Sequence, residues 1–273
     1  TCVVTFGDLL RVPGSRGSLS GAKGEGASVK MVYSPMDVLE PARENPSTTY
    51  VFAAVGFETT APVYTLLMEQ AKKQEIRNIR LLTSLKMMPP VIDHLLKDGA
   101  AIDGFLAPGH VCAVTGSDAF FPLAKAYEIP FCVAGFTAQE LLIAIYCLAR
   151  MAREGRAGVK NCYPSVVTAD GNLTAKQKLA QYFAKQDAVW RGMGTVADSA
   201  LVLREEYAQF DAGSGSLTED CKLNPRCCCD AVLAGKMDSL SCPLFGAECT
   251  PGTPQGACMV SYEGSCYQRY LNR

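Results

Sequence analysis

The chain is short of several things, and each shortage removes a class of function. Only two histidines occur in 273 residues, His94 and His110, and no spacing supports a Ser-His-Asp arrangement. Charge is nearly balanced, with 26 Lys and Arg against 27 Asp and Glu and no block of one sign. A nucleic acid or an acidic membrane therefore finds no electrostatic footprint. The longest apolar run, Leu141 to Ala149, falls well below the ~18–20 residues that span a bilayer. Neither a Walker loop nor a G-x-G-x-x-G in a strand–turn–helix setting is found, so a nucleotide-dependent oxidoreductase lacks its fingerprint. The glycine-rich stretch Gly14–Gly26 accordingly reads as a surface loop. The sequence opens on Thr1 inside a strand-like run, which reads as a truncated start.

What is present reads as an α/β protein. Hydrophobic residues make up 48% of the chain and charged ones 19%, enough to build a real core. Up to about residue 160, short apolar runs alternate with helix-patterned segments. Strands are expected over 2–6, 30–33, 50–55, 79–82, 104–107 and 130–134. Helices are expected over 64–73, 91–97, 119–127 and 138–153. That alternation predicts a parallel sheet covered by helices. The loops after four strands (Gly7-Asp8, Gly56–Thr60, Pro108–His110, Gly135–Thr137) are expected at one sheet edge, where parallel sheets bind ligands. Glu58, Thr59, Thr60 and His110 are the cleft candidates there, with Asp8 a further carboxylate just past a strand. Capping and turn formation explain the same residues equally well. His94 falls on the polar side of its helix and reads as a solvated surface residue. Beyond residue 160 the pattern becomes irregular and mainly helical, with helices expected at 174–185 and 199–207.

The cysteines carry the strongest signal. Eight of the thirteen lie between Cys221 and Cys266, among Pro225, Pro243, Pro251 and Pro254. So short a proline-rich segment has too little core of its own and needs a covalent or metal staple. A cubane iron–sulfur cluster ranks first because it tolerates irregular spacing. Zinc follows closely, although paired Cys-x-x-Cys knuckles are lacking. Disulfides rank third, since the cluster trails a long α/β region bearing single thiols, a pattern that points to the cytoplasm. Cys2, Cys112, Cys132, Cys147 and Cys162 are scattered singly and read as small buried hydrophobes.

Several strings resemble a known family. They are TFGDLLRVPGSRGSL (5–19), VYSPMDVLE (32–40), VGFETTAP (55–62), FLAPGHV (105–111), VAGF (133–136), WRGMG (190–194), CPLFGAEC (242–249) and GACMVSYEGSC (256–266). In this order they resemble the HypD family of hydrogenase maturation factors, over all 273 residues but only the later part of the family's length. The resemblance implies Rossmann-like parallel-sheet lobes followed by a cysteine-rich domain holding a [4Fe–4S] cluster. On this chain those become the remnant of a first lobe (1–46), a second lobe (47–160) and a C-terminal iron–sulfur domain (161–273). It further implies cytoplasmic work with a HypC-type chaperone and HypE, assembling the Fe(CN)2CO iron of a nickel–iron hydrogenase whose large subunit is served indirectly. The implied cluster ligands are Cys229, Cys242, Cys249 and Cys266. Cys221, Cys227, Cys228 and Cys258 are neighbours, and the first ligand stays open within the run 227–229. The alternative reading is a structural four-cysteine zinc protein whose α/β lobes bind a partner, with no redox role.

The sequence departs from the family pattern at identifiable places. Cys228 and Asp230 flank the first implied ligand, where a glycine usually follows it. Cys112 and Tyr262 stand where serine is usual. The family's CGGHT and GPGCPVC motifs, its expected iron and redox thiols, do not occur in these 273 residues.

Overall fold

In a computed structural model, residues 1–12, 14, 16–190, 193–216 and 224–272 are described. Among the described residues, nine strands form two sheets. The larger runs in the order β2-β1-β3-β4-β9-β8 and the smaller in the order β5-β6-β7.

Four of the six strands of the large sheet run parallel: β1 (Cys2–Thr5), β2 (Val29–Met31), β3 (Tyr50–Gly56) and β4 (Ile79–Lys86). Tyr50 faces Cys2 on one side and Ile79 on the other. Three helices return the chain: α1 (Leu19–Gly24), α2 (Leu39–Glu44) and α3 (Ala61–Lys73). Helix α3 shows the sequence logic clearly. Pro62 lies in its first turn, Lys72 and Lys73 lie in its last, and Tyr64, Leu67, Met68 and Ala71 recur at helical spacing and are fully buried. They cover Val4, Phe52 and Leu81, and the core of this sheet sits there. Phe52 meets the Phe6 and Tyr64 rings edge-on at 5.3 and 5.4 Å.

Helix α4 (Met88–Lys97) carries the chain to the second sheet, β5 (Phe105–Pro108), β6 (Pro130–Ala134) and β7 (Gly158–Asn161), all parallel. The helices α5 (Gly109–Thr115), α6 (Phe121–Ala126) and α7 (Ala138–Arg153) connect and cover it. Every residue of β6 is buried, which explains its uninterrupted apolar sequence. Thr137 and Glu140 form a reciprocal capping box at the start of α7. The chain then passes through α8 (Leu173–Tyr182) and returns to the large sheet as a hairpin, β8 (Phe183–Trp190) and β9 (Gly194–Leu203). β9 adds antiparallel to β4, with Leu85 facing Leu201. Last come α9 (Cys229–Leu233), α10 (Ala257–Val260) and α11 (Ser265–Leu271).

The α/β class holds, with five corrections in detail. The sheet is not parallel throughout, because the β8–β9 hairpin closes it antiparallel. The expected strands do not share one sheet, since β5–β7 form their own. The sheets also divide the chain differently from the expected lobes. β1, which pairs with β2 on one side, pairs with β3 on the other, so the strands of the supposed remnant share a sheet with β3 and β4 and the break falls after β4 rather than at residue 46. Residues 199–207, expected as a helix, are strand to Leu203 and then a short 3-10 turn over Glu205–Phe210. Gly14–Gly26, expected as a loop, contains α1, whose Ser18 hydroxyl accepts the Gly21 N–H at 3.1 Å. Pro13, Ser15, Arg191, Gly192 and Cys221, which belong to readings made above, lie outside the described residues. Among the described residues no helix is long and apolar enough to cross a membrane.

Candidate functional site

Two features concentrate chemistry: a buried carboxylate at the junction of the sheets, and the thiols of the C-terminal segment.

Glu58 follows β3 directly and is 1% exposed. Its Oε1 accepts the Met88 N–H at 2.8 Å, so it caps α4 from a distant loop while Met87 offers no side-chain cap. Its other oxygen, Oε2, is buried and unpartnered. Burial raises its pKa above the usual carboxylate range, opposed by backbone hydrogen bonds and by the charge of Lys185. Glu58 lines a cavity of ≈ 1010 Å³ with Met87, Thr115, Phe183 and Lys185. Of the four strand-end loops expected at one edge, only Gly56–Thr60 lines this cavity, and Thr115 at the end of α5 contributes another part of its wall. Burial pushes the Cys112 thiol of α5 up to about 12, and the charge of Glu58 adds to it. His110 is exposed and stacked on Phe136 at 3.9 Å, and it does not line this cavity. Thr59 and Thr60 are half-buried in the turn beside Gly56. Asp8 stays exposed and accepts its neighbour's N–H at 3.1 Å. His94, expected to be solvated, is partly buried instead, with Nε2 3.2 Å from the Met193 carbonyl and 3.6 Å from Asp98.

The C-terminal thiols share one small core. Cys229, Cys249, Cys258 and Cys266 are buried with Leu244 and Met259, and Cys227 and Cys242 pack against them. Short turns set this arrangement. The Cys249 N–H bonds back to the Leu244 carbonyl at 2.8 Å, and the Met259 N–H to the Gly256 carbonyl at 3.0 Å. Gly256 is required by proximity, because a Cβ there would stand 2.7 Å from Cys227 Sγ and 3.3 Å from Cys229 Sγ.

Within this core the sulfurs fall into two groups. Cys258 Sγ lies 2.9 Å from Cys229 Sγ and 3.0 Å from Cys266 Sγ. Hydrogen bonds from Cys258 Sγ–H, and from the N–H groups of Cys258 and Ala257, outweigh burial and bring the Cys229 thiol down to about 7. The Cys258 thiol, buried between Cys229 and Cys266, is pushed up instead. Cys227 forms the other group. Burial lifts it to about 11, and it also feels the charges of Cys229, Cys242 and Cys249. Cys258, expected as a neighbour of the ligands, touches both Cys229 and Cys266, and of the 227–229 run Cys227 feels Cys242 and Cys249 while Cys228 is within hydrogen-bond reach of Cys242. Cys228 is partly exposed, its Sγ 3.7 Å from the Arg226 carbonyl. The string GACMVSYEGSC carried the signal for Cys258. Nothing in the sequence marked the orientation of Cys227.

All the described cysteines are free. Separations of 2.9 and 3.0 Å exceed the ~2.05 Å of a disulfide and are shorter than the ~3.8 Å between thiolates on a tetrahedral zinc with bonds of ~2.3 Å. Among the described residues no three His, Cys, Asp or Glu side chains are grouped to hold a metal ion. The donor chemistry, several thiols walled by Leu244, Phe245 and Met259, is nonetheless the kind that iron–sulfur clusters take.

A two-sheet α/β body with a thiol core at its C-terminus matches a single family across its length. The HypD family model, described as the hydrogenase formation hypA family, covers residues 1–273. The chain belongs to that family of hydrogenase maturation factors. It is 41% identical to the hydrogenase maturation factor HypD of Azotobacter vinelandii, over 97% of this chain and 73% of that protein. Identity to the HypD of Escherichia coli is also 41%, over 98% of this chain and 73% of that protein. The HypD of Rhizobium leguminosarum is 40% identical over 96% and 71%, respectively.

Proposed function

We propose that this chain is a redox-competent scaffold in hydrogenase maturation, with a [4Fe–4S] cluster held by its C-terminal cysteines. One observation carries the reading: six thiols from a proline-rich segment converge in a single apolar core. A segment of that size has little else to bury, so a cluster would supply its staple. Cys242, Cys249 and Cys266 are proposed ligands, with the fourth from the 227–229 run. Cys229 is the member that matches the family pattern, and Cys227 is the member whose thiol feels Cys242 and Cys249. Cys258 would then stay in contact with the ligand shell through Cys229 and Cys266.

A cluster bound there would supply single electrons for ligand addition at a nascent iron. Leu244, Phe245 and Met259 would exclude water and so tune its potential. The cargo is proposed to be the Fe(CN)2CO iron of a nickel–iron hydrogenase, assembled with a HypC-type chaperone and HypE in the cytoplasm and passed on to the large subunit. Glu58 and its cavity would serve as part of the cleft, with Thr59 and Thr60 shaping the turn that carries it.

The test is metal and sulfide analysis of the full chain prepared without oxygen. About four irons and four sulfides per chain, with a brown charge-transfer absorption, are expected of a cubane. A colourless protein holding one zinc would overturn the reading in favour of a structural four-cysteine site.

A further inference from the structure

Cys132, Cys147 and Cys162 are widely separated in sequence, yet the fold gathers them at the interface between α7 and the small sheet. Cys132 is in the middle of β6. The register sets Cys132 opposite Lys160 and Val133 opposite Asn161. Cys162 continues that register, its N–H donating to the Val133 carbonyl at 3.0 Å. It therefore lies on the same sheet face as Cys132, one alternation along. Cys147 descends from α7, and all three pack in one cluster with Ala144 and Met151. The Cys162 thiol is within hydrogen-bond reach of both other thiols. They are not the isolated hydrophobes that the sequence suggests.

Access separates the three. Cys132 is 0% exposed, with its sulfur 3.9 Å from the Met151 thioether. Cys147 and Cys162 are only half-buried. A bulky reagent can reach the second pair and not the first thiol. Metal capture has no geometric support here, because among the described residues no three such groups are arranged around an ion.

We propose that Cys147 and Cys162 form a dithiol site oxidised by small-molecule disulfides, yielding one protein disulfide that fastens α7 to the end of β7. The thiolate of one cysteine attacks a sulfur of oxidised glutathione. Its S–S bond breaks, a mixed disulfide forms and one glutathione thiolate leaves. The second cysteine's thiolate then attacks the protein sulfur of that mixed disulfide and expels the other glutathione thiolate. Two protein thiols are oxidised, one glutathione disulfide is reduced to two thiols, and the two protein protons end on the departing thiolates. The two sulfurs, packed in one cluster, need only close the gap between them to ~2.05 Å.

The experiment treats the full chain with oxidised glutathione, blocks free thiols, digests it and maps cysteines by mass spectrometry. A linked peptide joining Cys147 to Cys162 is expected, and reductant should restore both thiols. Cys162→Ser should trap glutathione on Cys147, and Cys147→Ser should trap it on Cys162, each about tenfold above the level in the unsubstituted chain, where the second thiol resolves the adduct. Recovery of both cysteines as free thiols in the unsubstituted chain would overturn the proposal. So would glutathione persisting there at the level of the variants, or a link from either cysteine to Cys132. The decisive map uses the unsubstituted chain and does not depend on how well either variant folds.

Discussion

The Glu58 carboxylate accepts the Met88 N–H at 2.8 Å, joining the end of β3 to the start of α4. One oxygen holds a helix terminus while the other is buried without a partner.

That asymmetry gives Glu58 a pH signature. Its pKa is raised on folding, chiefly by burial, so the folded state holds the proton more tightly than the unfolded one. The contribution is favourable below the ordinary carboxylate pKa and is lost as pH rises through the folded value. Glu58→Gln keeps an acceptor for Met88 without the titration. The thermal midpoint of the variant should therefore improve relative to the parent as pH rises through that window. A constant difference between the two across pH would contradict this account. Glu58→Ala, which leaves the Met88 N–H without its acceptor, should cost about 1–3 kcal/mol, read by denaturant unfolding.

Gly171 is a second sensitive point. It has φ +71°, and a Cβ there would lie 2.3 Å from the Gly116 nitrogen and 2.5 Å from the Val114 carbonyl. The left-handed conformation alone costs a non-glycine residue about 1–2 kcal/mol, and the overlap with fixed backbone adds to it. Gly171→Ala should lower stability by at least about 2 kcal/mol. Gly155→Ala shares a positive φ but meets nothing within 4 Å, so it should cost clearly less. Equal losses from the two would show that the close approach is unimportant.

Single alanine substitutions should sort the tail cysteines by iron content. Cys242→Ala, Cys249→Ala and Cys266→Ala should each lose iron and become protease-sensitive, since ligand and staple go together. Cys228→Ala should do neither. Between Cys227→Ala and Cys229→Ala, the variant that loses iron identifies the fourth ligand. Full iron retention in Cys242→Ala would refute the proposed set.

Trp190, the chain's one tryptophan, supplies an internal reporter. It lines a cavity of ≈ 1090 Å³ together with Cys258 and Ala257, and its indole N–H is fixed to Ser199 Oγ at 2.8 Å. Reconstitution with iron and sulfide should quench its fluorescence by energy transfer to the cluster, and Cys242→Ala should abolish the quenching. Unchanged emission in a fully loaded protein would place the cluster elsewhere.

Local signals carried much of the fold. Pro130–Ala134 and Ala138–Arg153 match their expected limits, because a fully apolar strand and a capping box at Thr137 and Glu140 are written in consecutive residues. The β8–β9 hairpin was not legible. Its register depends on β4, and the pairing of Leu85 with Leu201 spans a separation that no local window samples. Ser199–Leu203 therefore resembled a helix although its partner makes it a strand. The same limit applies to the sites. Cysteine density alone exposed the tail, whereas the contact between Cys229 and Cys258, the approach of Cys112 to Glu58, and the meeting of Cys132, Cys147 and Cys162 arise only when distant elements pack.

The placement of β9 beside β4 also bears on how the chain is made. Everything between Lys86 and Gly194, including the whole small sheet, is threaded between two adjacent strands of the large one. A ribosome releasing this chain delivers β1 to β4 ahead of the small sheet and leaves the β4 border bare until β8 and β9 emerge. Such non-local pairing is slow, and exposed borders invite association with other nascent chains. During that interval the small sheet, built from neighbouring segments, can mature on its own. Late completion of the large sheet then brings both ends of the insert together.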